Sequence, residues 1–222
     1  MPKLDRDGDV YVLHLTPDDE NRFRPDWLGE VEAALDEVEA ASGPCALVTA
    51  GSGKFWSTGL DVDWLGANLD QTAAYLERIG LLFARTLASP VVSVAALNGH
   101  AFGLGAMWAL AHDFRVMRAD RGYFCLPEVD LGLNFEPGFA ALIRSRLTPT
   151  VAHEAMTTGR RYGGADALAA SIVDQTTTAD DLPAAAVAKA GDLAAKTKPV
   201  RGQIKEMLYA EVLEALRKPT TA

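Results

Sequence analysis

The chain has 222 residues and a formal net charge of −9, with 49% hydrophobic and 23% charged residues. This balance is typical of a globular protein and argues against an extended disordered chain. The acidic charge argues against nucleic acid as a partner, because phosphate binding needs clustered lysine and arginine. No window of about 18 apolar residues predicts a membrane span. The two cysteines, Cys45 and Cys125, are too few for a disulfide framework, and a cytoplasmic protein with reduced thiols is expected.

The first part of the chain alternates strand and helix patterns. Residues 10–15 have the β-branched and aromatic bias of a strand. Pro25 opens an amphipathic helix with apolar residues at i, i+3, i+4 and i+7, and the Ser-Gly-Pro run at 42–44 ends it. Residues 46–50 predict a short buried strand, and residues 51–59 predict a loop.

The same alternation continues toward the C-terminus. Residues 70–88 predict a long helix, and the apolar run 91–97 predicts a buried strand. After Pro137 the pattern is mainly helical. The remaining predicted elements are an apolar helix at 104–111, strands at 114–118 and 123–125, a short apolar segment at 172–173, and terminal helices at 183–195 and 200–216. Strands alternating with helices indicate right-handed βα units, hence an α/β fold.

Common motifs for phosphate, nucleophile and metal sites fail in this sequence. Residues 51–54 (GSGK) resemble the end of a phosphate-binding loop, but Val48 and Phe55 stand where glycine and Ser or Thr are required. A dinucleotide fingerprint fails because Trp108 replaces its third glycine. The chain has no G-x-S-x-G or H-E-x-x-H pattern, and its histidines are interpreted as structural. Chemistry without a metal or a nucleophile remains.

Three segments stand out as candidates for such chemistry. Residues 57–62 (STGLDV) follow a predicted strand. Residues 98–106 (NGHAFGLGA) leave a strand through glycines and enter an apolar helix, and backbone N–H groups at such a helix start are unpaired. Residues 126–132 (LPEVDLG) place the Glu128 carboxylate in an otherwise largely apolar stretch.

Together, KFWSTGLDV, NGHAFGLGA and LPEVDLGL resemble the crotonase superfamily of enoyl-CoA hydratases and isomerases. Their order and the matching flanks ALVTA, AHDFRV and GRRYGGADALAASIVD make the resemblance specific. It implies an α/β fold with a crotonase-like ββα spiral core over residues 1–180 and a C-terminal helical segment over residues 181–222. It also implies an acyl-CoA thioester substrate, a role in fatty acid metabolism, and a homotrimer or dimer of trimers. No cofactor is implied, because CoA is part of the substrate.

The resemblance assigns roles to backbone groups. It implies that the N–H groups of Leu60 and Leu104 form an oxyanion hole. Two such fixed donors stabilise the enolate that forms when a proton leaves the carbon next to a thioester, and losing one typically raises the barrier by about 2.7–4 kcal/mol. Contacts with the substrate or its CoA part are implied at Thr58, Val62 and Gly103.

Arg22 and Arg24, in the early loop, are candidate contacts for the CoA phosphates. The alternative interpretation is that both are solvated loop arginines. The sequence leaves the two interpretations open.

Acidic residues distinguish the reactions of the superfamily. Its hydratases use two glutamates to hold and split water, and the first falls at Met107 here while the second falls at Glu128. Methionine exchanges no proton, so a site with one carboxylate is suited to moving a proton rather than adding water. This departure resembles the Δ3,Δ2-enoyl-CoA isomerases, in which one glutamate takes a proton from C2 and returns one at C4. Apolar neighbours are expected to raise the pKa of Glu128.

Glu136 is an alternative base. Some isomerases of the family carry their glutamate about one turn further on, after a G-L-x-x pattern that residues 132–136 match. Since Pro137 suits the first turn of a helix, Glu136 is expected to cap that helix, which would stabilise its anion and weaken it as a base. We therefore place Glu128 ahead of Glu136.

Two other functions stay open at this point. Met107 motivates a non-catalytic acyl-CoA-binding protein on the same scaffold, because one acid is already missing. An enoyl-CoA hydratase that uses Glu128 and Glu136 together is the second alternative.

Overall fold

The computed structural model describes residues 1–16, 19–196 and 198–219. Its strands are β1 (Lys3–Asp7), β2 (Val10–His14), β3 (Ala46–Ala50), β4 (Phe55–Ser57), β5 (Val92–Leu97), β6 (His100–Phe102), β7 (Phe114–Arg118), β8 (Phe124–Cys125) and β9 (Gln175–Thr177). Its α-helices are α1 (Pro25–Ala40), α2 (Val62–Ala67), α3 (Thr72–Ala88), α4 (Leu104–Ala111), α5 (Glu128–Leu131), α6 (Pro137–Arg146), α7 (Pro149–Thr158), α8 (Gly164–Ala169), α9 (Leu182–Ala194), α10 (Lys198–Leu208) and α11 (Ala210–Arg217).

Two sheets organise these elements. The larger sheet has six strands in the order β1-β2-β3-β5-β7-β9, of which only β1 and β2 pair antiparallel. The smaller sheet has three parallel strands in the order β4-β6-β8. The chain passes from the larger sheet to the smaller one after β3, after β5 and after β7, as a repeated ββα turn requires. The predicted α/β fold is confirmed.

Several predicted boundaries are wrong. The loop expected at 51–59 contains β4, and the glycine-rich turn after Asn98 contains β6. Both strands have three residues, too few to show an alternating pattern in the sequence. Strand β9 follows the short apolar segment at 172–173 and was not predicted. The helix expected at 200–216 is divided at Tyr209 into α10 and α11.

Helix α9 covers one face of the larger sheet. Its small residues recur every four positions, so one stripe of the helix lies flat on alternating strand side chains. The buried cluster consists of Val10, Ala46, Val48, Val92, Val94, Ala96 and Val116 from the sheet with Leu182, Ala186, Ala190 and Ala194 from α9. The division of the chain at residue 180 stays a prediction.

An aromatic cluster fills the space between the sheets and the remaining helices. The Trp108 ring of α4 lies 5.1 Å from the Trp56 ring of β4 and 5.8 Å from the Trp27 ring of α1. Phe23 stacks on Trp27 at 5.3 Å. All four side chains are fully buried, and large aromatic rings contribute strongly to core stability. The cluster therefore fixes the position of α4 relative to β4.

Buried charges attach the C-terminal helices to this core. The Lys205 ammonium of α10 lies 2.8 Å from Asp113 Oδ1 and donates to the Ser89 carbonyl at 3.0 Å. Arg146, at the end of α6, donates to the carbonyls of Leu110 and His112 near the C-terminal end of α4. The same guanidinium contacts the Tyr209 hydroxyl between α10 and α11. Among the described residues, every helix is too short or too polar to traverse a lipid bilayer.

Candidate active site

One cavity of about 310 Å³ gathers most of the residues that the sequence singled out. The two candidate bases, Glu128 and Glu136, both line it. The backbone and contact residues that line it are Thr58, Leu60, Val62, Gly103 and Leu104. Most of the remaining lining is apolar, from Leu65, Leu76, Phe102, Met107, Pro127, Leu131, Leu133, Phe135 and Phe139. The cavity suits a ligand with an apolar chain and one polar group.

Two glycine turns meet backbone to backbone at one end of this cavity. Gly59 has φ +75°, and a Cβ placed on it would lie 2.4 Å from the Gly105 nitrogen. A Cβ on Gly105 would lie 2.3 Å from the Ser57 carbonyl oxygen. Side chains at either position would push the two turns apart. Glycine at both positions therefore brings the turn after β4 against the start of α4.

The N–H groups of Leu60 and Leu104 lie in these two turns. In each case the carbonyl of the same peptide group accepts a hydrogen bond, which fixes the plane of that peptide. The Gly59 carbonyl accepts a hydrogen bond from the Phe23 N–H at 2.8 Å, and the Gly103 carbonyl accepts one from the Met107 N–H at 3.0 Å. In a trans peptide the N–H points opposite to the carbonyl, so the N–H groups of Leu60 and Leu104 are oriented by these bonds. Within the described residues neither N–H has a hydrogen-bond partner.

Glu128 is the first residue of α5 and is 8% exposed. Its Oε2 atom is buried without a hydrogen-bond partner in the described part of the chain. Its Oε1 atom would lie 3.4 Å from a Cβ on Gly103, which places the carboxyl group beside the second glycine turn. Burial raises the pKa of Glu128 to about 7 and outweighs the opposite effect of its own backbone N–H. A carboxyl group in this state can accept a proton near neutral pH and hold it.

Glu136 lies on another part of the cavity wall, directly before Pro137 and α6. It occupies the expected N-cap position, and its side chain makes no capping hydrogen bond. Its side chain is half-buried, in contrast to the buried Glu128. The cavity thus contains two carboxyl groups in different environments.

Arg22 and Arg24 do not line this cavity. They lie in a separate surface cleft with Asp61, Asp63 and Trp64. Arg22 pairs with Glu20 and Asp63, whose hydrogen bonds raise its pKa further above its already high value. Arg24 lies 3.4 Å from an Asp19 carboxylate oxygen. A phosphate group at this cleft would compete with these carboxylates, and the role of both arginines in CoA binding stays a prediction.

Three residues to which the sequence assigned no role hold the first glycine turn. Ser57 Oγ accepts the Gly59 N–H at 3.1 Å, and Tyr75 Oη accepts the Asp61 N–H at 3.1 Å. Asn21 accepts a hydrogen bond from Ser57 through its backbone carbonyl. Only Ser57 had a local signal, since a serine two residues before a glycine can form such a turn.

Comparison with known proteins adds to this geometry. The family model described as enoyl-CoA hydratase/isomerase matches residues 6–222. "Enoyl-CoA delta isomerase 3" of Arabidopsis thaliana is 35% identical over 222 residues, which cover 96% of this chain and 93% of that protein. "Enoyl-CoA delta isomerase 2, peroxisomal" of the same plant is 34% identical over 224 residues, with coverage of 96% and 93%.

Among solved structures, human mitochondrial delta3-delta2-enoyl-CoA isomerase superposes with a TM-score of 0.91 at 22% identity. The superposition covers 97% of this chain and 85% of that one, and it confirms the predicted crotonase-like fold. The family match and the plant relatives support an enzyme rather than a non-catalytic binding protein. The chain therefore belongs to the enoyl-CoA hydratase/isomerase family and is an enzyme of that family.

Proposed function

We propose that the protein is a Δ3,Δ2-enoyl-CoA isomerase, which shifts the double bond of a 3-enoyl-CoA into conjugation with the thioester. One observation carries the proposal: a single buried carboxyl group with a pKa near neutrality shares a cavity with two unpaired N–H groups. Met107 contributes an apolar wall where the hydratases of the family have their other glutamate. The names of the Arabidopsis relatives support the same reaction.

In the proposed mechanism, the thioester oxygen accepts hydrogen bonds from the N–H groups of Leu60 and Leu104. The ionised Glu128 carboxylate removes a proton from C2, and the electron pair of that C–H bond delocalises over the thioester and the C3–C4 double bond. The resulting dienolate is stabilised by the two fixed donors, each expected to lower the barrier by about 2.7–4 kcal/mol. The protonated Glu128 then delivers a proton to C4, which leaves the double bond between C2 and C3.

The proposed reaction consumes no cofactor, because the same carboxyl group takes and returns the proton and CoA stays attached to the substrate. Thr58, Val62 and Gly103 are proposed to contact the thioester and its CoA part, since they line the same cavity as the donors. Arg22 and Arg24 are proposed phosphate contacts that exchange a carboxylate for a phosphate when CoA binds.

The test is isomerisation of 3-hexenoyl-CoA, coupled to an enzyme that consumes 2-trans-hexenoyl-CoA. Glu128→Gln is expected to lower kcat by at least about a hundredfold, the effect of losing a general base. Glu136→Gln is the matched control, since it removes the charge of the other carboxyl group in the same cavity, and it is expected to retain most activity. If neither variant loses activity, the proposed mechanism is wrong.

The presence of Glu136 in the cavity supports a second candidate, an enoyl-CoA hydratase that uses both glutamates. Hydration of crotonyl-CoA, followed by loss of the thioester absorbance, distinguishes the two functions. Under the isomerase proposal, crotonyl-CoA is hydrated far more slowly than 3-hexenoyl-CoA is isomerised.

The proposal extends to a homotrimer or dimer of trimers in the cytoplasm. Exposed apolar residues Val200, Ile204 and Met207 on α10 support burial of this helix against another copy. The free thiols of Cys45 and Cys125 support a reducing compartment. Light scattering of the purified protein tests the assembly, and Ile204→Asp is expected to shift it toward the monomer.

A further inference from the structure

Ser57 lies behind the candidate oxyanion hole, outside the lining of the cavity. Its side chain is fully buried, and its Oγ donates to the Asn21 carbonyl at 2.7 Å while accepting the Gly59 N–H at 3.1 Å. A hydroxyl group has one proton and two lone pairs. Because the proton is committed to Asn21, a lone pair of Ser57 faces the Gly59 N–H. The Gly59–Leu60 segment is thereby held from its N-terminal side.

Asn21 holds the same turn through the early loop. It is fully buried and has φ +50°, a left-handed conformation that asparagine tolerates better than most residues. Its side-chain amide donates to the Trp56 carbonyl at 3.0 Å, and its N–H donates to Asp19 Oδ1 at 2.9 Å. These bonds attach the loop to β4. Two residues further along, the loop presents the Phe23 N–H.

The Phe23 N–H is the donor that fixes the peptide plane of Leu60, through the Gly59 carbonyl. The Thr58–Gly59 peptide is therefore held at its N–H by Ser57, and the Gly59–Leu60 peptide is held at its carbonyl by the Phe23 N–H. Phe23 belongs to the loop that Asn21 attaches to β4. Neither the Ser57 nor the Asn21 side chain lines the cavity.

We propose that Ser57 and Asn21 are positioning residues, which hold the Leu60 N–H in the orientation needed to polarise a thioester carbonyl. The inference rests on the proposed function in one respect: the bound group is a thioester. Displacement of one oxyanion donor by about 1 Å can lower kcat on the order of a hundredfold without changing any residue that contacts substrate.

The test uses Ser57→Ala, which deletes the acceptor of the Gly59 N–H. The matched control is Ser93→Ala. Ser93 is also buried and also accepts a backbone N–H, from Asp113 at 3.2 Å, but in the described part of the chain its hydroxyl bonds only to Asp113 and not to the turn after β4. Two quantities are measured: kcat and KM for 3-hexenoyl-CoA, and the infrared carbonyl band of bound hexanoyl-CoA labelled with ¹³C at the thioester. The saturated probe cannot be isomerised, so its band reports hydrogen bonding alone.

Ser57→Ala is expected to lower kcat by about tenfold to a hundredfold with KM changed less than about twofold, and to move the bound carbonyl band toward its position in free hexanoyl-CoA. Ser93→Ala is expected to leave kcat and the band as in the wild type while lowering the melting temperature. If Ser57→Ala destabilises the fold but leaves both the band and kcat unchanged, the proposal is overturned.

Asn21→Gly is the second variant, because glycine keeps the left-handed backbone and removes the side-chain amide, which donates to the carbonyls of Trp56 at 3.0 Å and Asp19 at 3.5 Å. It is expected to shift the band in the same direction, and an unchanged band with both variants overturns the proposal. Should the wild type fail to isomerise while its bound carbonyl band still depends on Ser57, the positioning role stands and the isomerase function falls.

Discussion

Glu128 and Glu136 line one cavity, but they differ in how far the protein buries them. Glu128 lies at the start of α5, and burial by the surrounding protein raises its pKa to about 7. Glu136 precedes α6 and is only half-buried. A proton acceptor works best when its pKa is near the working pH, because it must be ionised before the reaction and able to hold the proton afterward. Burial therefore favours Glu128 as the base.

The pKa of Glu128 predicts the pH dependence of the reaction. The carboxylate must be ionised to remove a proton, so kcat/KM is expected to rise with pH up to about 7 and to level off above it. The measurement is the rate of 3-hexenoyl-CoA isomerisation between about pH 3.5 and pH 9. Glu136→Gln should keep the same profile. An inflection near 4.5, the ordinary pKa of a glutamate, would contradict the assignment.

The same burial predicts that the ionised Glu128 carboxylate destabilises the fold at alkaline pH. The pKa is about 7 in the folded protein against an ordinary value of 4.5, so the folded state holds the proton more tightly. The free energy of unfolding therefore falls as pH rises between these values, by an amount on the order of 3 kcal/mol. Denaturant unfolding should find Glu128→Gln more stable than the wild type at pH 8 and about equal to it at pH 4. A variant less stable at both pH values would refute the prediction.

At the scale of elements, the site depends on how closely the turn after β4 approaches α4. Glycine at positions 59 and 105 permits the approach, and Trp56 packing on Trp108 maintains it. The two donors belong to elements that are 44 positions apart in the sequence, at residues 60 and 104. Their separation is therefore set by packing, and a change of backbone at one turn displaces a donor.

Gly59→Ala tests this dependence. The added Cβ would meet the Gly105 nitrogen at 2.4 Å, and φ +75° is strained for alanine, so we expect more than about 1 kcal/mol of destabilisation. Separation of the donors should also lower kcat by about a hundredfold. Gly66→Ala is the control, because Gly66 lies within α2 with no atom within 4 Å of its Cβ position. Equal effects of the two substitutions on kcat would show that the approach of the turns is unimportant.

The long elements could be predicted from their patterns, and the short ones could not. Helix α3 and strand β5 have enough residues to show their apolar periodicity. Strands β4 and β6 are defined by pairing with partners distant in the chain, so three residues carry too little local signal. Strand β1 has the charged sequence KLDRD because it lies at the edge of the sheet and is largely exposed.

The candidate site was predictable where its residues lie in contiguous motifs. Leu60, Leu104 and Glu128 each stand in one of the three segments, and they line one cavity. Asn21 is 36 residues from its partner Ser57, and Tyr75 is 14 residues from its partner Asp61. Nothing in the local sequence of either residue indicates that it contacts the first turn. Such supporting residues become visible only when tertiary packing is known.

At the scale of the whole molecule, the ion pair between Lys205 and Asp113 connects α10 to the sheet. Lys205 is nearly buried, and burial lowers its pKa while the Asp113 carboxylate opposes that change. Asp113 also accepts the Ser93 N–H at 2.8 Å, so one carboxylate connects α10 to β5. Breaking a buried pair leaves the remaining charge without compensation, which costs more than the pair contributes.

Lys205→Met is therefore expected to lower the free energy of unfolding by about 2 kcal/mol or more. The control is Lys218→Met, which removes an exposed ion pair with Glu214 and should change stability by less than about 1 kcal/mol. Denaturant unfolding measures both. The double variant Asp113→Asn with Lys205→Met should recover part of the loss, because it also removes the Asp113 carboxylate charge that Lys205→Met leaves unpaired. Equal losses of unfolding free energy in Lys205→Met and Lys218→Met would show that burial of the Lys205–Asp113 pair is irrelevant.

Arg146 donates to carbonyls at the C-terminal end of α4 and contacts the hydroxyl of Tyr209. The N-terminal end of α4 carries the Leu104 N–H. Helix α4 has eight residues and is about 12 Å long, so it connects the candidate active site with the junction between α10 and α11 at Tyr209. Under the proposed function we expect amide exchange in α11 to slow when acyl-CoA binds, because α4 begins at Leu104 and Arg146 links its C-terminal carbonyls to Tyr209.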